Sequence, residues 1–229
     1  MKYFADGTLV PGQQFGYLFD DIGNRKQTSV GDGTSGTSPR FANYTVNNQN
    51  QITSRDYPGT NDVVGVAFAT NSVVVNGQTA WHKGEYFWAT VKSNNTAAAQ
   101  WEGIAVSSGG VTNSGNIYVP KTPESLSYDA DGNLTNDGRW SYVWDAENRL
   151  IQMTVIPNVG TQYQLNFTYD AKGRRIQKEV KVSGVTTSTT KFLYDGWNLV
   201  AELKSDNSRL RTYVWGNDLS GSMQGAGGV

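Results

Sequence analysis

With 229 residues the chain is long enough to bury a sizeable apolar core, as one large β domain or two smaller ones. Hydrophobic residues make up 37% and charged residues only 17%, and 26 Gly, 12 Tyr, 7 Trp and 8 Phe favour strands and turns over helices. Nineteen Lys and Arg, scattered and balanced by twenty Asp and Glu, leave no basic footprint for nucleic acid, and the lack of cysteine removes disulfides, thiolate nucleophiles and Cys-based metal sites.

The opening Met1-Lys2-Tyr3-Phe4-Ala5-Asp6-Gly7 meets an acid and a glycine before an apolar signal region can form, so no export signal is expected in this chain. No run approaches the ~18–20 apolar residues that span a bilayer, so no membrane insertion is expected. The first clear unit is Tyr17-Leu18-Phe19-Asp20-Asp21-Ile22-Gly23-Asn24-Arg25, an aromatic pair at period 2, then Asp, then Gly three positions later. A weaker copy stands at Tyr44-Thr45-Val46-Asn47-Asn48-Gln49-Asn50, where Asn replaces Asp, and Phe4-Ala5-Asp6-Gly7-Thr8-Leu9 reads as the tail of another. Residues 1–59 are therefore expected to form N-terminal repeat hairpins.

From Thr60 to about Pro123 the unit is missing. Val63, Val64 and Val66, then Val73-Val74-Val75, Tyr86 to Val91, Ile104-Ala105-Val106 and Ile117-Tyr118-Val119 predict about five short strands, with Asn76-Gly77 as a type I′ hairpin signal. Residues 60–123 are expected to be an inserted, β-sandwich-like module. Its Trp81, Tyr86, Trp88 and Trp101, near the lone His82, have two readings: the ordinary one, that the aromatics fill a core, and the alternative, that they form a stacking platform for sugar rings. His82 has no second histidine, cysteine or serine motif beside it and reads as a strand-end residue.

The repeat then returns at Tyr128-Asp129-Ala130-Asp131-Gly132-Asn133, Tyr142-Val143-Trp144-Asp145-Ala146-Glu147-Asn148, Phe167-Thr168-Tyr169-Asp170-Ala171-Lys172-Gly173 and Phe192-Leu193-Tyr194-Asp195-Gly196-Trp197-Asn198, with a weaker copy at Tyr213-Val214-Trp215-Gly216-Asn217. Each unit predicts a β-hairpin: the period-2 aromatics share one strand face, the Asp carboxylate accepts turn N–H groups, and Gly or Asn three residues on takes a positive φ. Asp20, Asp129, Asp145, Asp170 and Asp195 are the expected structural turn residues, and the aromatic before each is expected to be packed. Asp129-Ala130-Asp131-Gly132-Asn133 echoes a calcium loop, but its sister turns keep the shape without the ligands, so no metal is expected. Gly225-Ala226-Gly227-Gly228 follows no strand-to-helix signature and reads as a terminus. A single hairpin cannot bury its aromatic face, so the units are expected to stack into a wound sheet, with residues 124–229 as the C-terminal repeat hairpins.

The Tyr-Asp-x-x-Gly-Asn/Arg unit resembles the RHS/YD repeat. The run from Phe192 to Leu199, with Tyr213 to Leu219 and Ser220 to Val229, looks like the stretch leading into the RHS-associated core. The resemblance implies part of a β-shell in a toxin-carrier or cell-surface protein, secreted or surface-located, whose partners are the remainder of a larger RHS protein and its C-terminal cargo. It implies a fragment lying before the core cleavage region. The expectation is an all-β chain that is not an enzyme, with no catalytic residue and no cofactor, acting as a structural scaffold. The alternative is an extracellular carbohydrate- or protein-binding module displayed on that scaffold.

Overall fold

The computed structural model describes residues 2–31 and 39–216; the stretch from Asn217 onward, with its glycine-rich end, lies outside them. The described residues contain no helix, as the Gly-, Thr- and aromatic-rich composition predicts. The chain divides into two compact units, Met1–Ser127 and Tyr128–Val229.

In the first unit β1 (Phe15–Phe19), β2 (Arg25–Val30), β3 (Arg40–Val46) and β4 (Ile52–Arg55) form an antiparallel meander. There follow β5 (Thr60–Val66), β6 (Val73–Val75), β7 (Gln78–Thr79), β8 (Trp81–Lys83), β9 (Tyr86–Lys92), β10 (Gln100–Ser108) and β11 (Val111–Val119), which among the described residues pair only with one another, in sheets of order β5-β9-β8 and β11-β10-β6-β7. Then β12 (Glu124–Ser125) returns to β4, placing Glu124 opposite Arg55.

The core of this unit lies between the two inner sheets. Val73, Val75, Ala80 and Phe87 are buried, and Val63, Ala89, Val91 and Val106 pack on them from both sides. Strand alternation explains the selection: on β5, Val63 and Gly65 face the core while Val64 and Val66 stand outside, 42% and 77% exposed. Gly65 has a steric reason, since a Cβ there would lie 2.6 Å from the Phe87 ring. The buried Glu124 carboxylate pairs with the Arg55 guanidinium. Burial alone would lower the Arg55 pKa, but the hydrogen bond and charge of Glu124 win and raise it.

The second unit is one nine-stranded antiparallel meander in chain order: β13 (Ser127–Tyr128), β14 (Leu134–Asn136), β15 (Trp140–Trp144), β16 (Leu150–Val155), β17 (Tyr163–Tyr169), β18 (Arg175–Val182), β19 (Val185–Asp195), β20 (Asn198–Leu203) and β21 (Arg209–Thr212). Among its described residues only Asn198 is buried. On β17, Tyr163, Leu165 and Phe167 share one face with Val182, Val180 and Lys178 of β18, while Gln164, Asn166 and Thr168 share the other with Lys181, Glu179 and Gln177. The polar face is cross-linked: Gln152 Nε2 donates to Asn166 Oδ1 at 3.0 Å, and Asn166 Nδ2 donates to Glu179 Oε2 at 2.7 Å.

The first unit repeats this pattern, with Gln27 Nε2 donating to Asn43 Oδ1 at 2.9 Å and Asn43 Nδ2 to Asp56 Oδ2 at 2.8 Å. The repeat thus extends beyond its Tyr-Asp centre to a Gln on the outgoing strand and an Asn on the incoming one.

The aromatics before the turn aspartates are half-buried at Tyr128, Trp144, Tyr169 and Tyr194. Phe19 departs from the expected packing at 49% exposed, because it ends β1, the outer strand of its sheet.

Candidate functional site

The repeat turn is the most regular construction in the molecule. In each copy the N–H of the first residue donates to the carbonyl four residues on, and the N–H of the fourth donates back to the first. At Asp145 these bonds are Asp145 N to Arg149 O and Asn148 N to Asp145 O, both 3.0 Å. The same pair closes the turns that start at Asp20, Asn47, Asp129 and Asp170. The fourth residue always has positive φ: Gly23 (93°), Asn50 (61°), Gly132 (88°), Asn148 (57°) and Gly173 (78°). This is the three-residue hairpin loop with a left-handed closing residue, and it accounts for the bulge one step before the turn, as between Val143 and Trp144.

The first side chain caps the loop. Asp145 Oδ1 accepts from Glu147 N at 2.9 Å and Arg149 N at 3.0 Å, while Oδ2 accepts from Arg149 Nε at 2.8 Å. Asp170 does the same with Lys172 N, Arg174 N and Arg174 Nε, at 2.9, 3.0 and 2.7 Å. In Asp20 and Asp129 the side-chain donor is an asparagine, Asn24 or Asn133. Asn47 reverses the polarity: its Oδ1 takes the N–H groups of Gln49 and Gln51, and its Nδ2 donates to Gln51 Oε1 at 2.8 Å.

These bonds hold the carboxyls below their usual range. At Asp145 the Arg149 N–H is the largest cause, and at Asp20 the Asn24 side chain. At Asp129 and Asp170 desolvation pushes upward but is outweighed by the bonds from Asn133 and Arg174.

Consecutive turns are tied to one another within each unit. In the second unit the aromatic before one repeat turn donates to the strand returning from the repeat turn before it: Trp144 Nε1 to Leu134 O at 2.8 Å, Tyr169 OH to Leu150 O at 2.8 Å and Tyr194 OH to Arg175 O at 3.0 Å; Trp215 Nε1 likewise donates to Leu199 O at 2.7 Å. The fifth turn residue reaches forward. Asn24 Nδ2 meets Asn50 Oδ1 at 3.0 Å, Asn133 Nδ2 meets Asn148 Oδ1 at 2.8 Å, and Arg149 and Arg174 lie over the rings of Tyr169 and Tyr194 at 5.4 and 5.1 Å.

Asp195 is placed differently. Strand β19 runs through it to pair with Asn198, and Gly196 (φ 58°) and Trp197 make a two-residue turn. The longer loop recurs instead at Lys204–Ser208, with Asn207 at φ 66°, and at Phe4–Thr8, with Gly7 at φ 80°. In both the capping carboxylate has moved two residues along, so that Asp206 accepts from Ser208 N at 2.8 Å and Asp6 from Thr8 N at 3.0 Å. The Asp-Asn and Asp-Gly pairs were the available signal for these turns; Phe4–Leu9 reads as the tail of a unit, while the Lys204–Ser208 turn, with no aromatic before its Asp, is missed by the aromatic-Asp pattern.

The aromatic candidates of residues 60–123 are brought together only in part. The Trp81 and Tyr86 rings lie 6.4 Å apart, each 6.0 Å from Phe4, and Tyr86 OH donates to Pro11 O at 2.5 Å. Trp88 lies opposite Trp81 in the β8–β9 pair, with its Nε1 donating to Asp62 Oδ1 at 2.9 Å. Trp101 lies in the other sheet, opposite Tyr118 on β11, and is 38% exposed. His82 Nδ1 faces Asn71 O at 3.1 Å.

No protein-family profile matches the chain. Over 105 residues, 44% of this chain, it is 36% identical to the tRNA nuclease WapA of Bacillus subtilis (strain 168) and to the tRNA3(Ser)-specific nuclease WapA of Bacillus spizizenii. Over 104 residues it is also 36% identical to the tRNA(Glu)-specific nuclease WapA of Bacillus subtilis subsp. natto. The match spans 4% of the length of each relative. Among solved structures, 92% of the chain aligns with 12% of TcdB2–TccC3 without its hypervariable C-terminal region, at 13% identity and a TM-score of 0.28. It aligns to the same extent with the Photorhabdus luminescens Tc holotoxin pore, at 14% identity and 0.24; likeness at these scores carries no weight.

The names of the curated relatives correct one expectation. A chain outside enzyme proteins was expected because no catalytic motif stands in the sequence, but the relatives are nucleases, and their names give tRNA as a substrate of those proteins. The activity is named for proteins of which the matched stretch makes up 4%. The chain is thus similar to a short stretch of proteins named as tRNA nucleases.

Proposed function

We propose that this chain is a stretch of RHS/YD-type repeat sheet within a secreted or cell-surface toxin of the nuclease kind, where interlocked hairpins form a wall around or beside the toxic part. The observation that carries this reading is the tie between successive turns of the second unit: Trp144, Tyr169 and Tyr194 are each hydrogen-bonded to the hairpin before, a rule that extends a sheet hairpin by hairpin without a second layer. The 36% identity to WapA nucleases supports the setting. In this reading residues 1–59 and 124–229 are repeat hairpins and 60–123 an inserted module, supported by β5 to β11 pairing, among the described residues, only with one another before β12 rejoins β4. The test compares the protein that carries this stretch with a version lacking residues 140–203. The expected result is loss of growth inhibition of target cells with tRNA cleavage retained in lysate; undiminished growth inhibition would overturn the proposal.

A second reading, favoured by the Phe4, Trp81 and Tyr86 cluster, is a sugar-stacking platform on the inserted module. Calorimetric titration of a glycan panel against the chain and its Trp81→Ala variant tests it, and absence of binding to the unchanged chain would dismiss it.

A further inference from the structure

The inner sheets of the first unit leave two strand edges open toward each other. Among the described residues β5 pairs only with β9 and β11 only with β10, so each has one side without a ladder partner. Four cavities of about 590, 410, 290 and 260 Å³ follow these edges. Neighbouring cavities share lining residues: Asp62 and Ile117 join the first to the second, Val64 and Asn113 the second to the third, and Val66 and Ala67 the third to the fourth. Together they make one groove. Residues rise along β5 in the direction in which they fall along β11, so the two walls are antiparallel.

Gly115 stands mid-way along the β11 wall. It lacks the positive φ that favours glycine, and a Cβ built on it meets nothing within 4 Å, so neither backbone conformation nor packing accounts for it. A strand glycine of this kind marks close approach of another backbone. On the opposite wall Val64 and Val66, with Phe68 just beyond, expose apolar surface at 42%, 77% and 78%. The ends differ in hydrogen-bonding character. At one, Arg40 Nη1 and Asn61 Nδ2 are buried donors without a partner, while Arg40 Nη2 is held by the Asp62 carboxylate; at the other, exposed Glu85 lies beside Val66 and Phe68 with no ion-pair partner among the described residues.

We propose that this groove receives an extended peptide strand with alternating apolar residues, added between β5 and β11 by backbone hydrogen bonds. Its carboxyl end lies toward Arg40 and Asn61 and its cationic amino end toward Glu85, which makes it antiparallel to β5 and parallel to β11. One set of its side chains continues the exposed row of Val64 and Val66, and the other covers the core edge at Val63 and Phe87. This inference stands independently of the repeat-wall reading.

The probe is a fluorescein-labelled nonapeptide alternating valine and threonine, with lysine at its amino end and a free carboxylate, titrated against the full chain by fluorescence anisotropy. Saturable binding is expected, weakened about tenfold or more when alternate peptide nitrogens are methylated and when Gly115→Val fills the groove. Gly115→Val places its side chain in open space, so circular dichroism should confirm that it folds. Amide exchange in β11 should be fast in the free chain and slowed by the peptide. Absence of binding, equal binding by the methylated peptide or by Gly115→Val, or slow β11 exchange in the free chain, which would mean the two edges already pair, each overturns the proposal. So does concentration-dependent dimerisation abolished by Gly115→Val, which would assign the groove to a second copy.

Discussion

Tyr169 ties the third hairpin of the second unit to the one before it, so changing it measures what one such tie contributes. Its hydroxyl donates to Leu150 O at 2.8 Å, and the Arg149 guanidinium lies 5.4 Å from its ring centre. Tyr169→Phe removes the hydrogen bond and keeps the ring, a loss of about 1 kcal/mol, or roughly fivefold in a local opening equilibrium. Tyr169→Leu also removes the cation–ring attraction, about another 1 kcal/mol, for roughly thirtyfold in all. Hydrogen exchange on the full chain, followed by mass spectrometry under conditions where exchange reports opening, should show these graded accelerations in peptides covering β16 and β17. Exchange in β5 and β9, which belong to the other compact unit, should stay unchanged. Equal effects of the two variants, or equal acceleration in both units, would refute the reasoning.

The cap polarity predicts a swap: Asp145→Asn should loosen its turn by setting Nδ2 against Arg149 Nε, and adding Arg149→Gln should restore it, since Asn47 and Gln51 already use that arrangement; amide exchange of Glu147 and residue 149 reads both steps. The folded Asp129, Asp145 and Asp170 carboxyls hold protons less tightly than unfolded ones, so their stabilisation is present above the unfolded value of about 4 and is lost as pH falls through their lowered values. In an NMR titration the amides of Glu147 and Arg149 should therefore shift below pH ~4, while those of Gln49 and Gln51, capped by the non-titrating Asn47, hold still. Phe87→Ala, at the centre of the first unit's core, should destabilise that unit by roughly 3–5 kcal/mol in urea titration. Gly173→Val should cost about 1–2 kcal/mol although a Cβ there meets nothing within 4 Å, because the penalty comes from φ +78°; a neutral result would contradict the turn geometry.

The hairpins were legible because their signal is local. An aromatic pair at period 2, a capping carboxylate and a residue tolerant of positive φ fall within about eight positions, and each has a backbone reason to stand where it does. The turns at Phe4–Thr8 and Lys204–Ser208 obey the same backbone rule, but their carboxylates, Asp6 and Asp206, cap from the third position. Asp195 shows the converse: the local words are present, but Gly196-Trp197 permits a tighter turn and the strand runs through the Asp. The gathering of Phe4 with Trp81 and Tyr86, and the separation of Trp101 from them, depend on contacts far apart in sequence that no periodicity encodes.

The second unit shows why so regular a code is required. Its sheet buries almost no side chain completely, so no shared interior enforces strand order. A slip of one residue would exchange the Tyr163-Leu165-Phe167 face for the Gln164-Asn166-Thr168 face and break the Gln152–Asn166–Glu179 cross-link. The left-handed residue at each turn fixes the loop length, the capped carboxylate fixes where the loop starts, and the aromatic bond to the preceding strand fixes the offset between hairpins. Register in this sheet is therefore set at its turns, and a turn substitution should be felt in the neighbouring hairpin as well as its own.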